Sequence, residues 1–80
     1  MTLNQLPDDV WLAVVDGNTS IQCEFLALSF LITNLKTRRR AGGTPAEIAA
    51  EFKKFFTKYG QLPAAQRDLA KIAQLRGYHV

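Results

Sequence analysis

Residues Ile21 to Leu35 read IQCEFLALSFLITNL, the longest strongly apolar run in the chain. Between Ser20 and Thr37, the polar residues Gln22, Ser29, Thr33 and Lys36 recur at spacings of seven, four and three. That is helical periodicity, with one narrow polar stripe. The remaining face carries Ile21, Phe25, Leu26, Leu28, Phe30, Leu31, Ile32 and Leu35, with the polar Glu24 and Asn34 off the stripe. An ordinary surface helix carries an apolar stripe of roughly 100°. This stretch is apolar over well more than half its surface, which predicts a central helix covered by several partners. It is too short and too interrupted to span a bilayer, which takes about 20 mostly apolar residues.

On the N-terminal side, Pro7 suits a helix start, and Asp8 and Asp9 place negative charge on the positive helix end. Val10, Trp11, Val14 and Val15 form one face, and Asp16-Gly17-Asn18 ends the segment. A β-hairpin competes for residues 10–25. Val10 to Val15 is β-prone, Asp-Gly is a hairpin turn, and Ile21, Cys23 and Phe25 alternate with Gln22 and Glu24. The helical reading is preferred, because Pro-Asp-Asp is a helix entry and alternation fails beyond Phe25. Ser20 then caps the central helix. Leu3 and Leu6 in the N-terminal arm are candidates to pack on the core.

On the C-terminal side, Gly42-Gly43 stops the central helix. Thr44-Pro45-Ala46-Glu47 predicts the next one, with Thr44 as N-cap, Pro45 first and Glu47 third, a capping-box pattern. Ile48, Phe52, Phe55, Phe56 and Tyr59 make its apolar stripe, and three phenylalanines at this spacing predict core. Gly60 closes it. Pro63 opens a last helix with Ala65, Leu69, Ile72, Ala73 and Leu75 inward, and Gln66, Arg67, Asp68, Lys71 and Gln74 outward. Gly77 ends that helix before a short tail. The fold class is therefore all-α: about four helices around a central apolar helix, in one domain over residues 1–80. The alternative is an N-terminal β-hairpin followed by three helices.

Eighty residues bury little more than about 60% of their unfolded surface, so the core is thin. Apolar residues make up 48% of the chain, enough for a packed domain. Net charge is +3, mildly basic, which permits an acidic or nucleic-acid partner without requiring one. The single cysteine, Cys23, excludes an intrachain disulfide and reads as a buried, inert thiol. Met1-Thr2-Leu3-Asn4 lacks the basic start and apolar run of a secretory signal, so a cytoplasmic location is expected.

The sequence offers no catalytic constellation. His79, the single histidine, would have to anchor near Ser20, Ser29 or Cys23 to make a nucleophile pair. One histidine and one cysteine do not build a closed zinc site. Gly42-Gly43 lacks the phosphate-loop pattern and its lysine. A non-enzymatic protein is expected, with no cofactor, no metal and no small-molecule substrate.

Lys36, Arg38, Arg39 and Arg40 are the unusual surface feature. Cations in a last helical turn offset the negative helix end by about 0.3–1 kcal/mol each. Three consecutive arginines point in three directions, so they do not all serve one helix end. Arginine also suits two-pronged contacts to carboxylate or phosphate. The expected function is a small interaction or regulatory protein, self-associating, that contacts an acidic partner through these four residues. The alternative is DNA or RNA binding by the same cluster. A helix-turn-helix-like C-terminal half, with Gln66, Arg67, Lys71 and Arg76, would assist it.

Overall fold

A computed structural model describes residues 2–17, 26–59 and 62–80. It contains α1 (Asp8–Asp16), α2 (Leu26–Arg40), α3 (Pro45–Tyr59) and α4 (Pro63–Leu75), with a 3-10 turn at Leu3–Gln5 before α1. No strand occurs among the described residues. Residues 10–16, the first arm of the hairpin alternative, are therefore helical. The second arm, the Ser20 cap, Cys23 and the Gly60 stop lie outside the described residues.

The helix over residues 8–16 follows from its entry. Pro7 sits at the N-cap with an extended backbone, and Asp8 and Asp9 occupy the first turn. Val10 N–H donates to the Pro7 carbonyl at 3.1 Å, and Gly17 N–H donates to the Ala13 carbonyl at 2.9 Å. The β-branched valines would have suited a strand. They serve instead as buried side chains of a short helix, because packing outweighs propensity differences of less than about 1 kcal/mol.

Among the described residues, α1 is the most completely buried helix. Five of its nine residues are buried: Val10, Trp11, Leu12, Val14 and Val15. It packs against α2, α3 and α4. In α2, only Leu28, Ile32 and Leu35 are buried, whereas Leu26 and Phe30 are 69% and 67% exposed. Helix geometry gives the reason. At about 100° per residue, Phe30 lies roughly 160° round the axis from both Leu28 and Ile32. A helix with neighbours on one side cannot bury both faces.

Trp11 is fully buried and meets Phe52 and Phe56 edge-on, with ring centroids 5.2 and 5.5 Å apart and interplanar angles near a right angle, 78° and 79°. The phenylalanine stripe of α3 thus packs on α1. Ile48 and Ala49 complete its buried face, and α4 adds Ala65, Leu69 and Ala73. Leu6 and Leu62, flanking the helices, are also buried. Leu75, expected inward, is 79% exposed, and Tyr59 is 46% exposed. Both sit at the last residue of their helix, where the inward stripe runs past the core.

The turn after α2 is set by two glycines with different duties. Gly43 N–H donates to the Arg38 carbonyl and Gly42 N–H to the Arg39 carbonyl, at 2.9 and 3.2 Å. This is the Schellman arrangement, which requires a left-handed residue after the helix. Gly42 fills it with φ +86°. At Gly43, an added Cβ would lie 2.9 Å from the Arg38 carbonyl oxygen. The Thr44 carbonyl then accepts from Ile48 N–H at 3.2 Å, so α3 starts directly at Pro45. α4 ends in the same way. Tyr78 N–H donates to the Ala73 carbonyl at 2.9 Å, and the Tyr78 ring packs on the core.

Candidate functional site

The basic run at the end of α2 divides into two halves with different surroundings. Leu28, Ile32, Leu35 and Arg39 follow one another at spacings of four, three and four, so Arg39 continues the inward stripe. Past the edge of the core, its guanidinium meets Asp16 at the end of α1. Nε donates to Oδ1 and Nη2 to Oδ2, both at 3.0 Å. Arg38 is turned toward α3, where Nη1 donates to Glu51 Oε2 at 2.6 Å. The hydrogen bond and the charge of Glu51 both hold the Arg38 guanidinium above the ordinary arginine range, and Glu47 adds to this. Lys36 is half-buried and Arg40 exposed, and neither has a carboxylate partner among the described residues.

The second basic group is divided as well. Arg76 Nη1 donates to Asp9 Oδ2. Gln66 is half-buried, whereas Arg67 and Lys71 are exposed and lie four residues apart on one face of α4. α3 and α4 each pack on α1 rather than extensively on one another. Asp68, expected in water, is half-buried, and its Oδ2 is buried without a hydrogen-bond partner among the described residues.

Among the described residues, four ion pairs therefore use four of the ten cations: Arg38 to Glu51, Arg39 to Asp16, Lys53 to Asp8 and Arg76 to Asp9. Each joins two segments of the bundle. All are largely solvated, and such pairs contribute at most about 1 kcal/mol. Fully burying one Leu or Phe contributes about 1.5–3 kcal/mol. The core holds the helices together, and the ion pairs fix their register. Lys36, Arg40, Lys54, Lys58, Arg67 and Lys71 keep no carboxylate partner among the described residues.

The outer face of α2 is the feature that the sequence assigned to the core. Leu26, Phe30, Thr33, Thr37 and Arg40 recur at spacings of four, three, four and three, and all are exposed. Leu26 and Phe30 make its apolar end and Arg40 its cationic end. No Asp or Glu occurs anywhere in α2. The Thr37 hydroxyl donates to the Thr33 carbonyl at 3.0 Å, so it is satisfied within its own helix. The face combines two large apolar side chains, a quiet middle and a positive charge with no carboxylate partner among the described residues.

Of the groups considered for catalysis, Ser29 is half-buried in α2, His79 is exposed at the C-terminal end, and Ser20 and Cys23 lie outside the described residues. Among the described residues, no group of three or more His, Cys, Asp or Glu side chains could hold a metal ion. No helix among them is long and apolar enough to cross a membrane. On comparison, no protein family, curated protein or solved structure matches the chain.

Proposed function

We propose that the protein is a non-enzymatic interaction module that seats a segment of a partner protein along the outer face of α2. The observation that carries this reading is the pairing of exposed Leu26 and Phe30, one turn apart, with Arg40 and Lys36, which have no carboxylate partner among the described residues, at the other end of the same helix. The complementary occupant is an amphipathic segment with apolar residues at one end and Asp or Glu at the other. Apolar anchors supply the affinity, and the acidic end sets register and speeds encounter. Leu26 and Phe30 together offer at most a few hundred Å². A standard stable interface needs about 800 Å² per partner. That size favours a short docking segment over self-association through this face.

The test is fluorescence anisotropy with a labelled helical peptide bearing a Leu/Phe pair followed by three glutamates. The same peptide with lysines replacing the glutamates is the control. Expected are saturable binding of the acidic peptide alone, loss with Phe30→Glu, and a slower association rate with Arg40→Glu. Equal binding of both peptides would remove the charge complementarity. Concentration-dependent dimerisation abolished by Phe30→Glu would assign the face to a second copy. Binding of random duplex DNA that weakens steeply with salt and is lost with Arg67→Gln/Lys71→Gln would favour the nucleic-acid alternative.

A further inference from the structure

A groove lies between the N-terminal 3-10 turn and α3. Asn4 forms one wall, and Lys53, Lys54, Thr57 and Lys58 form the other, around a volume near 610 Å³. That volume is in the range of small-molecule sites, about 300–1,000 Å³. We propose that this groove binds a small organic phosphate monoester, with the phosphate held by Lys54 and Lys58 and the organic body resting along the lysine stems. The proposal is independent of the α2 face.

The walls are set by the fold. Thr2 N–H donates to Gln5 Oε1 at 2.9 Å, which closes the 3-10 turn, and Leu6 directly after it is buried at 1% exposure. Asn4 is therefore held against the body of the protein. On the α3 side, Lys53 is paired within the fold. Its ammonium donates to Asp8 Oδ1 at 3.1 Å and stands 5.9 Å from the centroid of the Trp11 ring. Asp8 neutralises Lys53 and leaves Lys54 and Lys58 as the uncompensated charges of the groove. Both are exposed, and the Lys58 ammonium lies 5.4 Å from the Tyr59 ring centroid.

The donor set fits phosphate. Two ammonium groups supply charge-assisted hydrogen bonds, and the Thr57 hydroxyl and Asn4 amide supply neutral ones. Among the described residues that line the groove none is acidic, and the nearby Asp8 carboxylate is neutralised by Lys53. Lysine stems give the walls apolar surface below their charged ends, which suits a ligand with a short organic body. Asn4 is some fifty residues from the lysines in sequence, so residue spacing alone did not announce the site.

Trp11 is the single tryptophan, and Lys53 stands over its ring, so its fluorescence reports on the groove. The full chain is titrated with AMP and with glucose 6-phosphate, and with adenosine and glucose as uncharged counterparts. Calorimetry and the amide resonances of Asn4 and Thr57 are followed in parallel. Expected are saturable binding of both phosphates, none of the counterparts, and shifts centred on Asn4 and Thr57. Lys54→Gln and Lys58→Gln should each weaken binding roughly tenfold, as for loss of a charge-assisted hydrogen bond. Arg67→Gln/Lys71→Gln on α4 should bind as wild type. No saturable binding up to millimolar phosphate, or the same affinity in Lys54→Gln/Lys58→Gln as in wild type, would overturn the proposal. So would duplex DNA binding lost in that double variant while AMP shifts nothing, which would assign the lysines to a nucleic-acid backbone.

Discussion

Arg39 grips Asp16 with two parallel hydrogen bonds, Nε to Oδ1 and Nη2 to Oδ2, both 3.0 Å long, across 23 residues of sequence. The pair fastens the C-terminal end of α2 to that of α1, the helix on which the bundle is built. It engages one arginine of the run at residues 38–40 within the chain, and Glu51 engages a second.

The first expectation follows from that division. Arg39→Ala should lower stability by less than about 1 kcal/mol, as for a largely exposed but two-pronged pair. Arg40→Ala should lose only its helix-end contribution, about 0.3–1 kcal/mol, because it has no carboxylate partner among the described residues. Partner binding should fall further with Arg40→Ala than with Arg39→Ala. Thermal melts beside peptide anisotropy separate the two effects. A larger binding defect in Arg39→Ala than in Arg40→Ala would contradict the division.

The second concerns the aromatic centre. Phe52→Ala should destabilise by about 3–5 kcal/mol, since it leaves a cavity against Trp11. That is a large part of the total stability of a small domain. Leu26→Ala and Leu75→Ala should each stay within about 0.5 kcal/mol, because both side chains are mostly in water. Urea unfolding of the three variants is the measurement. An equal cost at Leu26 and Phe52 would contradict the exposure of the one and the burial of the other.

A third applies to the turn at residues 42–43. Gly42→Ala should cost about 1–2 kcal/mol, because φ +86° is a left-handed conformation that a Cβ disfavours. Gly43→Ala should cost more than a relaxed surface site, for a different reason. Its Cβ would press on the Arg38 carbonyl oxygen at 2.9 Å, which is backbone and cannot swing aside. Gly42→Asn separates the two causes, since asparagine tolerates the left-handed region, and it should recover part of the Gly42→Ala loss. Melting temperatures of the three variants decide this.

The fourth uses the sign of the Arg38 perturbation. Glu51 raises its folded-state value above the unfolded one, so the arginine side of this pair contributes below the unfolded value. The contribution is lost only as pH climbs through the folded one, above the ordinary arginine range. The melting-temperature difference between wild type and Arg38→Gln should therefore stay constant from about pH 7 to pH 10. A difference that shrinks steadily across this window would mean that another group governs the contact.

Local signals in the sequence determined the helices and most of their inward faces. Pro7-Asp8-Asp9, Thr44-Pro45 and Pro63 start α1, α3 and α4 close to where spacing and backbone chemistry place them. The Val10, Trp11, Val14, Val15 and Ile48, Phe52, Phe56 stripes are the buried ones. These features depend on residues within one or two turns of each other, so a linear reading captures them.

Which helix is buried most completely was decided only by tertiary packing. Apolarity over residues 21–35 announces that a surface wants cover, but not that neighbours exist to cover it. Among the described residues, α1 packs against α2, α3 and α4, Trp11 and the valines of α1 are buried, and Leu26 and Phe30 stay outside. The contacts of Arg38 and Arg39 likewise come from distant partners, Glu51 and Asp16, and Asn4 is the distant wall of the lysine groove. Such pairings depend on how helices are arranged in space, and a linear pattern of residues carries the faces of each helix without the identity of what lies opposite them.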